Sequence, residues 1–142
     1  MRLRALLLFA ALSILCGCGD TTKSLAEITE VKPSGWYTPA EITFEVSDTT
    51  SLFDMQILLR YDSYISADSV ELMVSTTAPD GVMWSDEFTI GVPAGEHSLQ
   101  IIEKSYRKSI MWGQAGEYRV SLHPMHLYRG ISAVGVNITN SQ

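Results

Sequence analysis

From Trp36 onward, apolar and polar side chains alternate along the chain with a period of two. That period marks a strand with one buried and one wet face. Ile42, Phe44 and Val46 alternate with Glu41, Thr43 and Glu45. Met55, Ile57, Leu59 and Tyr61 form a second such row, and Val70, Leu72 and Val74 a third. Phe88, Ile90 and Val92, then Tyr118, Val120 and Leu122, then Val134, Val136 and Ile138 repeat the pattern. A shorter apolar run at 99–102 predicts one further strand. β-Branched residues are frequent in these rows, as a pleated, half-buried surface favours.

Turn-forming clusters separate the rows: Pro33-Ser34-Gly35, Ser47-Asp48-Thr49-Thr50, Ala78-Pro79-Asp80-Gly81, Gly91-Val92-Pro93-Ala94-Gly95 and Gln114-Ala115-Gly116. In Pro79-Asp80-Gly81 the proline presets φ, the aspartate caps the turn locally and the glycine accepts a positive φ. Short strands at this spacing, without an amphipathic helix, predict an all-β fold. The expected architecture is an antiparallel β-sandwich, jelly-roll-like, of about seven to eight strands. Residues 103–112 fit no period and carry Lys104, Arg107 and Lys108, so they read as a basic loop.

The first residues follow a different rule. Arg2 and Arg4 precede an apolar run from Ala5 to Leu15, broken by Ser13 alone. As a helix this run spans about 16 Å, half of a bilayer core, so it reads as a secretory leader and not a membrane span. It ends at Leu15-Cys16-Gly17-Cys18, the arrangement that a bacterial lipoprotein signal peptidase cuts. Cys18, with Gly17 before it, is the expected lipidation site, and Cys16 the competing one. The expected division is a lipoprotein signal peptide at 1–17, a lipid-anchored tether at 18–33 and a β-sandwich domain at 34–142. Within the tether, Leu25, Ile28 and Val31 form a weak pattern compatible with a helical turn or an early strand. Two or three acyl chains, palmitate among them, anchor stably where one does not.

Composition narrows the partners. The chain has 142 residues, 46 % of them hydrophobic, enough for one domain with a real core. Its formal charge is −6, and removal of Arg2 and Arg4 lowers it further. An acidic surface argues against a nucleic-acid partner, which releases counterions only to a basic one. Both cysteines lie in the first 18 residues, so the domain is expected to hold together by packing without a disulfide.

Candidate chemistry is sparse. His123 and His126 flank Pro124-Met125, with His97 apart from them. Alternation puts 123 and 126 on opposite faces, so no metal site is expected. Asp86-Glu87 reads as a solvated turn. Gly-x-Ser-x-Gly, phosphate-loop and dinucleotide signatures do not occur. No catalytic residue, metal or cofactor is therefore assigned, and the chain is expected not to be an enzyme. Trp36, Tyr64, Trp84, Trp112 and Tyr128 fall at expected loops or strand ends. They are the candidate surface for a protein partner or, alternatively, for a glycan stacked on loop tryptophans.

Several motifs follow one another in a familiar order. They are the leader ending at Cys18, Trp36, the run Asp54-Met55-Gln56-Ile57-Leu58-Leu59-Arg60-Tyr61 with Tyr64 after it, and Pro79-Asp80-Gly81. Gly116-Glu117-Tyr118-Arg119-Val120-Ser121-Leu122 and Tyr128-Arg129-Gly130-Ile131-Ser132-Ala133-Val134-Gly135-Val136 close the series. In this order the chain resembles the gliding motility-associated lipoprotein GldH family of Bacteroidetes-type bacteria. It departs from the family's pattern over 86–114 and at Met125-His126, where a Met-Arg pair is expected. The resemblance implies an accessory or structural subunit of a gliding-motility or related envelope apparatus. Such a subunit would be lipid-anchored at the outer membrane, face the periplasm and bind other envelope proteins. Within the closing motif, Gly130 predicts a turn or bulge before the last strand, and Gly135 a bare outer face of that strand that a loop or partner backbone approaches.

Overall fold

The computed structural model describes residues 25–65, 67–93 and 98–142. The leader, Cys18 and His97 lie outside them. Eight antiparallel strands follow in chain order: β1 (Leu25–Glu30), β2 (Ala40–Val46), β3 (Phe53–Tyr61), β4 (Ser69–Thr77), β5 (Met83–Gly91), β6 (Gln100–Ile110), β7 (Gly116–Pro124) and β8 (Ile131–Asn140). One sheet has the order β1-β8-β3-β6 and the other β2-β7-β4-β5. β1 pairs with β8, β2 with β7, β3 with β6 and β4 with β5. The chain is thus one long hairpin, rolled until β8 also meets β3 and β7 also meets β4. This is the jelly-roll arrangement of a β-sandwich.

The alternating rows become the facing layers of the core. Along β2 the pattern of buried and exposed positions is strictly alternating from Ala40 to Val46. Ile57, Leu59, Leu72, Val74, Val120, Leu122 and Val136 have no exposed surface. Each such side chain contributes about 1.5–3 kcal/mol of burial. The register also sorts the connections to two ends. Leu25 pairs with Ile138, Val46 with Gly116 and Thr77 with Met83, so the β2–β3, β4–β5 and β6–β7 connections share one end with the start of β1. The β1–β2, β3–β4 and β7–β8 connections share the other.

Two expectations from the sequence change. Residues 25–30 are not tether: they form β1, an edge strand held by β8, so the folded unit includes at least residues 25–33, before position 34. Its period was obscured because Glu27 pairs with inward-facing Val136 while the open edge keeps Glu27 exposed. Likewise 103–112 is not a basic loop. Positions 103–110 belong to β6, which carries two extra residues relative to β3, one on each side of Arg107. These insertions break the period of two. Ser109, at φ 55°, sits in the second insertion, where its N–H donates to Asp54 Oδ1 at 2.9 Å.

At Gly135 another backbone does approach, but it is the neighbouring strand β1 of the same sheet and not a loop or partner on an outer face. A Cβ there would lie 2.4 Å from the carbonyl oxygen of Glu27 and 3.1 Å from Ile28 Cα, so the backbone of β1 occupies the space a side chain would need. Beside it, Arg60 reaches Glu30 at 3.7 Å and donates from Nε to Ser132 Oγ at 2.9 Å. Replacing Gly135 by valine is expected to destabilise the fold by about 1–3 kcal/mol through overpacking, read as a lower urea midpoint. Gly35→Ala serves as the control, because its added methyl meets only the tip of the Leu127 side chain at 3.1 Å.

Candidate functional site

The five aromatic residues singled out in the sequence do not share a surface. Trp36, Trp112 and Tyr128 are 2 %, 4 % and 6 % exposed. They belong to the core, and this corrects their assignment to a binding face. Trp36 and Tyr128 exchange backbone hydrogen bonds of 2.7 and 3.0 Å across one end of the sandwich. The Trp36 indole donates to the Thr38 carbonyl at 2.8 Å, and the Tyr128 hydroxyl accepts from the Glu71 N–H at 2.9 Å. At the other end, Trp112 packs edge-on to Phe44 at 5.4 Å and against Tyr118 at 4.8 Å. A sandwich has two open ends, and large rings close them with much apolar area and a polar handle for the loop backbone. Tyr64 and Trp84 remain outside, 82 % and 39 % exposed.

Trp84 is part of a local cluster. Val82 and Met83, 60 % and 62 % exposed, precede it at the start of edge strand β5. The β4–β5 turn presents all three. The Gly81 N–H donates to the Ala78 carbonyl at 2.9 Å, and Ala78 N–H to the Val82 carbonyl at 2.8 Å. Gly81 holds a φ of 89°, as the Pro-Asp-Gly signal requires. The Val82 N–H donates to Asp80 Oδ1 at 3.0 Å.

A second element braces this turn. Gln114, in the β6–β7 connection, donates from Nε2 to Asp80 Oδ2 at 2.7 Å and accepts the Asp80 N–H at 3.2 Å. Pro79 packs onto Gly116, where a Cβ would come within 3.1 Å. The hydrogen bonds from Gln114 and then Val82 hold the Asp80 carboxyl below the usual carboxylate range. The turn is therefore held by a polar frame, and three consecutive exposed apolar residues, Val82, Met83 and Trp84, follow it. Fixing a surface before binding lowers the ordering cost of association.

Along the rest of β5 the edge is guarded by polar groups. The Tyr106 hydroxyl on β6 donates to Asp86 Oδ2 at 2.8 Å, and Arg107 pairs with the same oxygen. Lys104 Nζ donates to the Thr89 carbonyl at 2.6 Å and lies 5.4 Å over the Phe88 ring. Partial burial, then the bond to Asp86, pushes the Tyr106 hydroxyl up to about 12. These contacts link the edge strands of the two sheets, so Asp86 is a latch and not a solvated turn. At the opposite end, β7 stops at Pro124 and alternation stops with it. His126 then lies 2.9 Å from Glu71, on the outward side of β4 and not across the sheet from His123 as alternation implied. Among the described residues, no three His, Cys, Asp or Glu converge as metal ligands would.

No protein-family model and no curated protein matches the chain. Three solved structures are similar at low identity. Dimeric latent PorU from Porphyromonas gingivalis is 13 % identical over 84 % of this chain, with a TM-score of 0.38. The infectious bursal disease virus VP2 subviral particle is 11 % identical over 94 %, with a TM-score of 0.43. A family 11 carbohydrate-binding module from Clostridium thermocellum, in complex with a mixed-linked tetrasaccharide, is 15 % identical over 87 %, with a TM-score of 0.34. The chain spans 13 % of the PorU chain, 37 % of the VP2 chain and 85 % of the module. The fold is identified from the chain's own strand order and register.

Val82, Met83 and Gln114 were not singled out in the sequence. The available signal was the run Val82-Met83-Trp84 directly after a Pro-Asp-Gly turn: alternation cannot bury three consecutive apolar residues on an edge strand. Replacing Gln114 by alanine is expected to raise the Asp80 pKa toward its ordinary value and to speed amide exchange at Val82. The core amides of β7 stay as protected as before. The brace is present above pH about 4, the ordinary carboxylate range, and lost as pH falls through the depressed Asp80 pKa. A carboxyl-detected NMR titration checks both points.

Proposed function

We propose that this chain is a lipid-anchored protein of the bacterial cell envelope, held to the outer membrane through Cys18 and facing the periplasm. It works without catalysis, as an accessory subunit of a gliding-motility or related envelope apparatus, by binding other envelope proteins. The leader that ends at Cys18 supports the anchor, and the resemblance to the GldH family supports the apparatus. The observation that carries the binding role is the braced, exposed tip Val82-Met83-Trp84. Apolar groups of this kind at the centre of a small rigid patch are the usual source of interface energy.

The position of the tip adds a constraint. It stands at the same end of the sandwich as Leu25, where the chain arrives from the anchor. A partner reaching it is met close to the membrane surface. Tethering raises the effective concentration there without any new contact. The competing glycan reading needs several aromatics on one face, and two of the three tryptophans are in the core.

Cys18→Ala is expected to move the protein from the membrane to the soluble fraction with its fold intact, read as an unchanged far-UV circular dichroism spectrum. A variant still wholly in membranes would refute the anchor. With a photo-reactive residue at Met83, in-cell cross-linking followed by mass spectrometry is expected to capture motility or secretion subunits of the envelope. Trp84→Ala is expected to reduce the yield several-fold. Capture of polysaccharide or of glycan-uptake proteins instead would overturn the proposed role.

A further inference from the structure

At the end of the sandwich that carries Leu25, the described residues leave a recess open to the surface. A pocket of about 200 Å³ opens there between the sheets, walled by Leu25, Phe44, Val46, Phe53, Trp112 and Ile138. Protein interiors are close-packed and hold few spaces larger than a water molecule. An apolar cavity stays dry and takes up hydrocarbon: one of about 150 Å³ admits benzene. This pocket is of similar size but open at its mouth, so its walls suit the terminal carbons of an alkyl chain that enters from outside.

The charges around the pocket restrict what the alkyl chain is attached to. Two carboxylate residues, Glu45 and Asp48, are among those lining it, and no cation is among the described lining residues. Asp48 is a fixed anion. Its Oδ2 accepts from the Ser51 hydroxyl at 2.6 Å, and its Oδ1 accepts from the Thr50 and Ser51 N–H groups at 2.9 and 3.0 Å. These bonds, that from the Ser51 hydroxyl first, hold its pKa far below the usual carboxylate range. A free fatty acid or an anionic phospholipid would bring a further negative charge to this rim. An acyl chain joined through a thioether-linked glycerol brings none.

The place of the pocket in the chain supplies the remaining argument. Leu25, one of its walls, follows Cys18 by seven residues. Fully extended, seven residues reach about 23–25 Å. A lipid on Cys18 is therefore tied within a short radius of a neutral-chain pocket. We propose that the pocket holds one acyl chain of the lipid on Cys18 of the same molecule. This inference rests on the lipid-anchor reading and goes beyond it. The remaining acyl chains stay in the bilayer, and the end of the sandwich carrying Leu25 and the Val82-Met83-Trp84 tip is held down on the membrane surface. The domain then has one orientation instead of swinging on a free tether.

The test uses the full chain in cells fed a fatty acid bearing a terminal diazirine and an alkyne. The purified protein is illuminated, digested and mapped by mass spectrometry. The expected result is acylated protein whose cross-links concentrate in the peptides carrying Phe44 to Phe53 or Trp112, several-fold above peptides from the Tyr128 end. Val46→Phe, which fills the pocket, is expected to lower that yield several-fold with acylation unchanged. Its unfolding midpoint is measured alongside, and Ile138→Phe replaces it if the fold is lost. Acylated protein that cross-links only to lipid, or evenly along the chain, overturns the pocket assignment and leaves the anchor standing. Protein that carries no label overturns the anchor, and the pocket assignment falls with it.

Discussion

Among the side chains of the central strands within 1 % of complete burial are Ile57 and Leu59 on β3, Val134 and Val136 on β8, Val70, Leu72 and Val74 on β4, and Val120 and Leu122 on β7. They are the facing layers of the two sheets, and both cysteines precede β1, so no disulfide supports their contact. Because strand side chains alternate strictly, a one-residue slip of any of these strands would turn its whole row to solvent. That penalty fixes the register of the central strands, and the positions of edges and ends follow from it. The polar chemistry of the molecule collects where the layers run out. Glu27 lies on the β1 edge, and the Asp86–Tyr106–Arg107 latch joins the β5 and β6 edges.

The same register assembles both features with a functional reading. β4 pairs with β7 as well as β5, so Thr77 lies opposite both Met83 and Arg119. The β6–β7 connection is thereby carried alongside the β4–β5 turn, and Gln114 comes within reach of Asp80. β8 pairs with β1 and β3, so Leu25, Ile138 and Met55 lie across one row at that end. The pocket opens beside this row, with Leu25 and Ile138 among its walls. Neither feature depends on a local motif alone; each is a meeting of segments far apart in the chain.

How much was legible depended on how regular the row facing the core is. β2, β3, β4, β5, β7 and β8 showed in the apolar rows, the edge strands β2 and β5 among them. The edge strands β1 and β6 were harder. On β6 a lysine pairs opposite inward-facing Ile57 and two insertions interrupt the alternation, so the strand resembled a basic loop. β1 carries a glutamate at an inward position and resembled a tether. An open edge tolerates charge because the side chain can reach water, and tolerance of charge erases the pattern that announces a strand.

The sequence by itself determined the sandwich, its punctuation and the close approach at Gly135. Those follow from local rules: alternation of burial, φ at proline and glycine, and the absence of a side chain. The expectation of a leader ending at Cys18 is likewise read in linear order. Only the tertiary structure decided which aromatics face water. Trp36 and Trp84 look alike in the chain, each beside turn residues, yet one closes an end of the core and the other stands on an edge strand. That outcome depends on which strands flank each position, a long-range pairing that no local window contains. Physically, a loop residue is buried when another connection crosses over it and exposed when the sheet ends beside it.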